Sequence, residues 1–386
     1  MNEATLEFIR MHADEDVRRL AFLGRKNPEV DITYALDQIA GRQKAKTKIP
    51  SWAPVDGIVY PPHISMEQCS SEQTARYKAR VAGRGRRIVD LTAGFGVDMA
   101  FMSAGFQEAV HVERQSQLCA ISSGNYKQLG LHHIEVVCCD GVEYLHKMGH
   151  ADLIFIDPAR RDQHGGRTYG IADCTPNVLE IAGEMLEKAD RVMIKLSPML
   201  DWKKAVADVG RVSEVHIVSV GNECKELLLV VDKKEAPLKI YCVNDDSIFS
   251  YAFADEISFI SSIPALPRFL YEPNASVMKA GCFNLISQRF GVSQPDANSH
   301  LFLSDHEIEG FPGRGFVVDT VSSMNKHGLK EALAGVSKAN IAVRNFPLSV
   351  AELRKRLKLK DGGDVYVFAT TDANKGHLLM VCRKIS

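Results

Sequence analysis

Apolar residues recur along the chain at two different spacings, and the change of spacing divides it. From Glu3 to about Ala40 they recur every three to four residues, with breaks at Gly24 and at Asn27-Pro28, which predicts a small helical lobe. Four prolines between residues 50 and 62 then indicate an extended connection. Ser65-Met66-Glu67-Gln68 has the pattern of a capping box and predicts a helix that continues to Ala82.

From residue 87 to residue 234, short apolar runs alternate with helical stretches. Strands are predicted at residues 87–91, 109–112, 134–138, 153–156, 191–196, 213–220 and 227–231. Repeated strand–helix units require a parallel sheet with helices on both faces. Residues 221–226 are too few for a helical crossover, so the last two strands should pair as an antiparallel hairpin. The predicted fold is therefore α/β, a Rossmann-like seven-stranded sheet with an antiparallel terminal hairpin.

The remainder of the chain mixes helical and strand patterns. A proline-rich stretch, residues 263–267, is typical of a linker. Near the end, the pattern predicts a strand at 341–343, a basic helix at 349–357, and strands at 365–369 and 378–382, which is a small α+β domain. The predicted regions are an N-terminal helical lobe with linker (1–64), the sheet domain (65–236), a linker with a small α+β region (237–298) and a terminal α+β domain (299–386).

Composition adds the class of protein. The 386 residues are 45% hydrophobic and 25% charged, as in ordinary globular proteins. No run of about 18 apolar residues occurs and acids stand near the N-terminus, which argues against a membrane span or a secretory leader. None of the nine cysteines forms a C-x-x-C pair and no zinc spacing occurs, so we expect reduced thiols and no metal site. A cytoplasmic location is predicted.

Charge is unevenly distributed although the formal net charge is only −1. Residues 42–48, 76–87 and 354–360 contain 4, 6 and 5 bases and no acid. The near-neutral total therefore combines an acidic body with three basic windows, and it does not exclude a nucleic-acid partner.

The strongest candidate for chemistry is the segment that follows the first predicted strand of the sheet. Asp90-Leu91-Thr92-Ala93-Gly94-Phe95-Gly96 is a strand end followed by a Gly-x-Gly loop, whose glycines allow a ligand close to the backbone. Glu113 stands 19 positions after Gly94, at the end of the second strand, where a carboxylate can accept from ribose hydroxyls. Asp140, at the end of the third strand, could accept from an adenine amino group.

The charge of the loop favours one nucleoside cofactor over another. A dinucleotide would bring a pyrophosphate, but Met99 occupies the third-glycine position and Asp90 and Asp98 flank the loop with negative charge. S-adenosylmethionine instead brings a sulfonium and an ammonium, which two carboxylates suit. The alternative is that Asp90 and Asp98 only cap the following helix.

These motifs resemble the class I S-adenosylmethionine-dependent methyltransferases over about residues 65 to 235. The resemblance implies that the methionine part of the donor lies over the loop, that Asp90 and Asp98 are near its ammonium, and that Glu113 binds the ribose. It implies a cofactor site made of Asp90, Thr92, Ala93, Gly94, Gly96, Asp98, Glu113, Asp140 and Gly141.

The whole chain is similar to bacterial predicted methyltransferases with a C-terminal THUMP-like domain. The stretches that carry this similarity are Glu67-Gln68-Cys69-Ser70-Ser71, Asp157-Pro158-Ala159-Arg160-Arg161 and Arg344-Asn345-Phe346-Pro347. THUMP domains accompany RNA-modifying enzymes, so the similarity implies an RNA partner, by analogy.

The fourth strand ends in Asp157-Pro158-Ala159-Arg160, a second candidate site. In amino-group methyltransferases of nucleic acids, an acid here accepts from the target amine, the proline carbonyl takes the second hydrogen, and an aromatic residue stacks on the base. Asp157, Pro158 and Arg160 are therefore the predicted catalytic residues. Arg160 replaces the aromatic residue and could stack on a base or, like Arg161, hold a phosphate. Asp157 could alternatively cap the loop.

Several cations are candidates for RNA contact. Lys195 ends the fifth strand beside the same cleft and could meet phosphate or neutralise Asp157. In the terminal domain, Arg344-Asn345-Phe346 offers a charge, an amide and an aromatic ring. The predicted RNA-binding residues are Arg161, Lys195, Arg344, Asn345, Arg354, Lys355 and Arg356.

The leading hypothesis from the sequence is methylation of RNA, tRNA or rRNA, at a base nitrogen. A small-molecule methyltransferase with a dimerising terminal domain is one alternative. The other is a non-catalytic protein that binds the methyl donor and RNA.

Overall fold

The computed structural model describes residues 2–22, 27–160, 170–255 and 267–385, with the side chains of Arg160 and Asp255 left out. Two compact units are present. The first comprises Met1–His216 and Lys225–Leu238, and the second Ile217–Cys224 and Lys239–Ser386. In the described part of the chain, no helix is long and apolar enough to span a membrane.

The first unit begins with five helices. They are α1 (Glu3–Met11), α2 (Val17–Leu20), α3 (Ile32–Lys48), α4 (His63–Gln68) and α5 (Glu72–Ala82). Side-chain oxygens of Asn2, Asp16 and Asp31 cap the first three by accepting backbone N–H groups. Phe8, Leu20, Ala35 and Ile39 pack together between them. The helical pattern predicted for the N-terminal region is present, although Gly24 lies outside the described residues.

The capping box predicted at Ser65 is wrong. α4 begins two residues earlier, has no side-chain cap, and ends at Gln68, since the backbone of the next residue, Cys69, is extended. Ser71 starts α5 instead, by accepting from the Thr74 amide. Two short helices therefore replace the single predicted one, and the boundary predicted between residues 64 and 65 falls inside α4.

Strands and further helices follow α5 in the described residues up to Asp232. The strands are β1 (Gly85–Asp90), β2 (Phe106–Glu113), β3 (Ile134–Cys138), β4 (Ala151–Ile156), β5 (Ala159–Arg160), β6 (Cys174–Thr175), β7 (Ala189–Leu196), β8 (Val212–Val220) and β9 (Glu223–Asp232). The helices are α6 (Val97–Met102), α7 (Ser116–Gln128), α8 (Gly141–Lys147), α9 (Val178–Lys188) and α10 (Trp202–Val209). All seven strands predicted between residues 87 and 231 are present.

The main sheet is parallel at its centre. β1 pairs with β2 and β4, β2 with β3, and β4 with β7, all in parallel. β9 runs antiparallel to β7 and is joined to β8 by Gly221-Asn222, which both have positive φ as the tight turn of a hairpin requires. The register sets Asp90 beside His111 and Phe155, so the carboxyl ends of the parallel strands meet at one edge. This edge is where an open α/β sheet binds ligands.

The second unit contains a hairpin and a separate sheet. Its strands are β10 (Lys239–Asn244), β11 (Ser247–Ala252), β12 (Phe269–Pro273), β13 (Phe302–Ser304), β14 (Gly313–Ser323), β15 (Asn340–Arg344), β16 (Val365–Thr371) and β17 (His377–Lys384). Its helices are α11 (Ala275–Ala280), α12 (Phe283–Phe290), α13 (Lys326–Ala332) and α14 (Val350–Leu357). The separate sheet has the order β13-β12-β14-β17-β16-β15.

Two details of the prediction need correction. In the described residues the strand order is β11-β10-β8-β9-β7-β4-β1-β2-β3, so the seven predicted strands are present and the sheet also contains β10 and β11, which the sequence did not predict; the Asp245 amide donates to the carbonyl of Ser219 in β8. The boundary predicted between residues 298 and 299 lies inside one sheet, because β12 pairs with both β13 and β14. Most of the predicted linker, residues 263–266, lies outside the described residues.

Candidate active site

A cavity of about 670 Å³ opens at the carboxyl edge of the parallel strands in the first unit. The loops after β1, β2, β3, β4 and β7 contribute to its wall. Of the predicted site residues it is lined by Asp90, Thr92, Ala93, Gly94, Gly96, Asp98, Glu113, Asp140, Gly141, Asp157, Pro158 and Lys195. Topology therefore brings the predicted cofactor and acceptor residues to one place.

The glycine loop after β1 needs its glycines for two different reasons. Gly94 and Gly96 both have positive φ, of 57° and 84°. A Cβ on Gly94 would meet nothing within 4 Å, whereas one on Gly96 would lie 2.1 Å from the hydroxyl oxygen of Tyr126. That hydroxyl donates to the Gly96 carbonyl, and its oxygen lies 2.8 Å from Nδ1 of the buried His111. Packing beneath the loop thus holds its shape.

Glu113 is tied to the same loop from β2. Its Oε2 accepts from the Gly94 amide at 3.0 Å and its Oε1 accepts from the Gln115 amide at 2.7 Å. The residue is 8% exposed and lines the cavity. Each carboxylate oxygen has a second lone pair, so both can still accept a ligand hydroxyl.

Asp90 and Asp98 are buried carboxylates at this edge. Asp90 Oδ1 accepts from the Thr92 amide, and no cation of the described residues lies within 4 Å of this carboxylate. Burial, together with the charges of Asp98 and Asp157, raises the pKa of Asp90 well above its ordinary value. Burial also opposes ionisation of Asp98, but Lys78, Lys195 and a hydrogen bond from Ser70 lower its pKa below the ordinary value.

Asp157 and Lys195 form an ion pair across the ends of β4 and β7. The Lys195 ammonium donates to Asp157 Oδ2 at 2.5 Å, and the Asp157 amide donates to the Thr92 hydroxyl at 2.7 Å. The Lys195 side chain is 12% exposed and that of Asp157 37% exposed. Of the two alternatives open for Lys195, the structure shows the neutralisation of Asp157.

Sequence reasoning missed two further charged residues beside Asp98, namely Lys78 and Glu226. Lys78, which we counted in a basic window, is fully buried on α5, and its ammonium lies 2.6 and 2.7 Å from the two carboxylate oxygens of Glu226. The same ammonium is 3.2 Å from Asp98. A signal existed, because Lys78 falls on the face of α5 that also carries Thr74, Ala75 and Ala82, all buried.

Asp140 and Gly141 have structural roles that the sequence left open. Asp140 is exposed and caps α8, accepting from the amides of Val142 and Glu143 through Oδ1. A Cβ on Gly141 would lie 2.1 Å from the Leu91 carbonyl oxygen, so glycine is needed for the approach to the end of β1. Both residues still line the cavity.

The predicted RNA-binding residues of the second unit are partly engaged within that unit. Arg344 donates to Glu272 at 2.8 Å, and the side-chain Nδ2 of Asn345 donates to Asp296 Oδ1 at 3.1 Å. Arg354 donates to Asp361 at 2.6 Å. Lys355 and Arg356 are exposed on α14. Arg161 and the side chain of Arg160 lie outside the described residues.

Acids from elsewhere in the sequence pair with the other basic windows. Lys44 is 3.0 Å from Glu67 and Lys46 is 2.5 Å from Asp14. In the second window Arg76 pairs with Glu72 at 2.6 Å. A window without acids in sequence is therefore not a patch without acids in space.

Family models match three segments of the chain. A THUMP domain-like model matches residues 313–384, and a ferredoxin-like domain matches residues 269–312. A model of protein-L-isoaspartate (D-aspartate) O-methyltransferase matches residues 64–162. The THUMP-like match begins at residue 313 rather than at the predicted 299. Among curated proteins, no match was found.

A similarity to a solved structure extends over the full length of the chain. A protein of Porphyromonas gingivalis W83, described as a "putative methyltransferase", is 30% identical, with 99% of this chain and 98% of that chain covered and a TM-score of 0.87. Two partial likenesses each cover 42% of this chain. The first is an rRNA methylase from Streptococcus thermophilus, which is 18% identical, with 93% of its chain covered and a TM-score of 0.31. The second is M. capricolum TrmK in complex with S-adenosylhomocysteine, which is 12% identical, with 69% of its chain covered and a TM-score of 0.33.

The similarity to the Porphyromonas gingivalis protein and the THUMP domain-like match confirm the predicted methyltransferase fold and the THUMP-like terminal domain. The full-length similarity covers the residues of both units and not those of the first unit alone. The chain therefore belongs to the family of the Porphyromonas gingivalis protein, which joins a methyltransferase fold to a THUMP-like C-terminal domain.

Proposed function

We propose that this protein transfers a methyl group from S-adenosylmethionine to RNA. The observation that carries the proposal is the presence, on one chain, of a methyltransferase fold with a lined cavity at its carboxyl edge and of a THUMP-like domain. The fold supports the transfer, and the terminal domain supports the choice of RNA.

The cavity suits the charge of this methyl donor. Asp90 is a buried carboxylate whose ionisation burial and neighbouring acids oppose, and a cationic ammonium beside it would relieve that cost. A pyrophosphate would add negative charge to the same place and raise the cost. The donor set therefore fits S-adenosylmethionine and not a dinucleotide.

The residues that would hold the donor follow from the loops. Glu113 would bind the ribose hydroxyls with the lone pairs that the Gly94 and Gln115 amides leave, and Asp90 would face the ammonium. Asp140 and Gly141 would border the adenine. When bound, the donor supplies a methyl group on a sulfonium, which is already activated, so the protein's contribution is to orient the acceptor and manage its proton.

RNA recognition is supported by the second unit. The THUMP-like segment, residues 313–384, includes Lys355 and Arg356, which are exposed on α14. Exposed cations bind phosphate without sequence preference, so binding should weaken strongly as salt rises. Which RNA is modified, tRNA or rRNA, stays a prediction of the sequence alone.

The match to an isoaspartate methyltransferase does not favour a protein substrate. It ends at residue 162, so it covers the loops after β1 to β4 and stops before Lys195 and the β8–β9 hairpin. A match confined to that half supports the donor-binding fold and says nothing about the acceptor.

Incubation with labelled S-adenosylmethionine and total RNA from cells that lack the protein tests the proposal. Label should enter RNA and be lost with Asp157→Ala, whereas the exposed control Asp246→Ala should keep the activity. Label found only in small molecules would replace RNA by a small-molecule acceptor. Donor binding without any transfer would instead identify a non-catalytic binding protein.

A further inference from the structure

We infer that the acceptor is a hydroxyl of RNA ribose rather than a base nitrogen, with Asp157 taking the proton and Lys195 stabilising the attacking oxygen. The inference rests on the proposed function and names its acceptor group. It replaces the base nitrogen that the sequence predicts, because the Lys195 ammonium beside Asp157 opposes the positive charge that develops on an attacking amine.

The position of Lys195 carries the inference. Its ammonium lies 2.5 Å from Asp157 Oδ2 and 3.8 Å from Asp98 Oδ2, and its side chain, 12% exposed, lines the cavity. Asp98 is itself held by the Ser70 hydroxyl at 2.7 Å and by the Lys78 ammonium at 3.2 Å. The lysine is thus a cation in a prepared position rather than a mobile surface charge.

Lys195 is protonated at neutral pH. Burial by itself would lower its pKa, but the surrounding carboxylates of Asp157, Asp98 and Glu226 raise the pKa above the ordinary value. The Lys195 side chain beside Asp157 is therefore an ammonium, which can donate hydrogen bonds and cannot accept a proton.

The sign of the developing charge separates the two acceptors. An amine that attacks a methyl group becomes positive in the transition state, and a fixed ammonium beside it raises the barrier. A hydroxyl that loses its proton during attack becomes partly negative, and the same ammonium lowers the barrier. The Lys195–Asp157 pair therefore favours oxygen.

The transfer balances with the groups present. The ribose oxygen forms a bond to the methyl carbon while the carbon–sulfur bond breaks and its electron pair goes to sulfur. The hydroxyl proton passes to Asp157 Oδ1, to which no donor among the described residues bonds, while Oδ2 keeps its bond to Lys195. The products are a methyl ether, S-adenosylhomocysteine and a protonated carboxyl, which solvent then deprotonates because Asp157 is 37% exposed.

The position of the methyl group in the labelled RNA tests the inference. A methyl group on the 2′-oxygen blocks alkaline cleavage, so alkali should release the label in a dinucleotide, and enzymatic digestion should give a 2′-O-methyl nucleoside. Label on a base, released by alkali as a mononucleotide, would overturn the hydroxyl acceptor and leave the proposed function standing. Absence of label from RNA would overturn both.

Variants separate the role of Lys195 from folding and donor binding. Lys195→Met should lower kcat by about 100-fold, as removal of a donor to a developing oxyanion does, while Lys195→Arg retains part of the activity. Calorimetry with S-adenosylhomocysteine should give Lys195→Met an affinity within about threefold of the parent protein, and the exposed control Lys147→Met should match the parent in both measurements. A kcat for Lys195→Met within threefold of the parent would contradict the role.

Discussion

The ammonium of Lys78 lies between the two carboxylate oxygens of Glu226, at 2.6 and 2.7 Å, and both residues are buried. One residue comes from the helix before β1 and the other from the last strand of the first unit. The pair joins α5 to β9 at the cavity, whose wall includes Glu226, and Glu226 is also one of the carboxylates that raise the pKa of Lys195.

Removal of one partner of this pair should destabilise the fold. Lys78→Met leaves the Glu226 carboxylate buried without its cation, which should lower the free energy of unfolding by about 3–5 kcal/mol. Urea denaturation measures the change. Lys204→Met, which removes an exposed partner of Asp208, should cost about 1 kcal/mol or less.

Coupling between the partners provides the control. The double variant Lys78→Met/Glu226→Gln should be less destabilised than the sum of its two single changes, because the second change removes the stranded charge. Strict additivity would show that the two side chains act independently.

Loss of Glu113 should weaken donor binding. Glu113→Ala leaves the ribose hydroxyls without an acceptor and releases the Gly94 amide. The binding free energy of S-adenosylhomocysteine, measured by calorimetry, should therefore become less favourable by about 1–3 kcal/mol. Glu135→Ala, an exposed change on β3, should leave the affinity unaltered. An unchanged affinity for Glu113→Ala would contradict the proposed ribose site.

The positions of the strands could be predicted because strands that are buried on both faces appear in the sequence as continuous apolar runs. β4 and β7 are such strands, with Leu153–Ile156 and Val192–Ile194 buried, and residues 221–226 are too few for a helical crossover, which indicated a hairpin. The carboxyl-edge residues Asp90, Glu113 and Asp157 followed from these strands, because parallel strands bring their ends together.

Pairing of charges could not be predicted, because it depends on contacts between distant residues. Lys78 and Glu226 are 148 positions apart, and Arg344 and Glu272 are 72 apart. Each of these four residues looks like a surface charge when only its neighbours in the sequence are considered. The extra hairpin, β10–β11, was missed for a related reason, since its edge position gives a mixed pattern rather than a buried run.

The exposed cations of α14 should contribute to RNA binding through phosphate. Lys355→Gln/Arg356→Gln should weaken filter binding of total RNA and reduce the slope of log affinity against log salt by about 1 to 2. The double variant Lys127→Gln/Lys147→Gln makes the same charge change on α7 and α8 and should leave the slope unaltered. Equal slopes for both double variants would place the RNA contact outside α14.

Acid should destabilise the protein through His111. Burial lowers the pKa of His111 to about 3, so the folded protein keeps the ring neutral, whereas the unfolded chain binds a proton below about 6.5. Between those two values the unfolded state holds more protons, so this residue should lower the free energy of unfolding by about 1.4 kcal/mol for each unit of pH decrease.

Urea denaturation at pH 7, 6 and 5 measures this effect. The free energy of unfolding should fall less with pH for His111→Gln than for the parent, while the exposed control His146→Gln should show the same fall as the parent. Identical pH dependence for His111→Gln and the parent would show that the ring does not couple folding to pH.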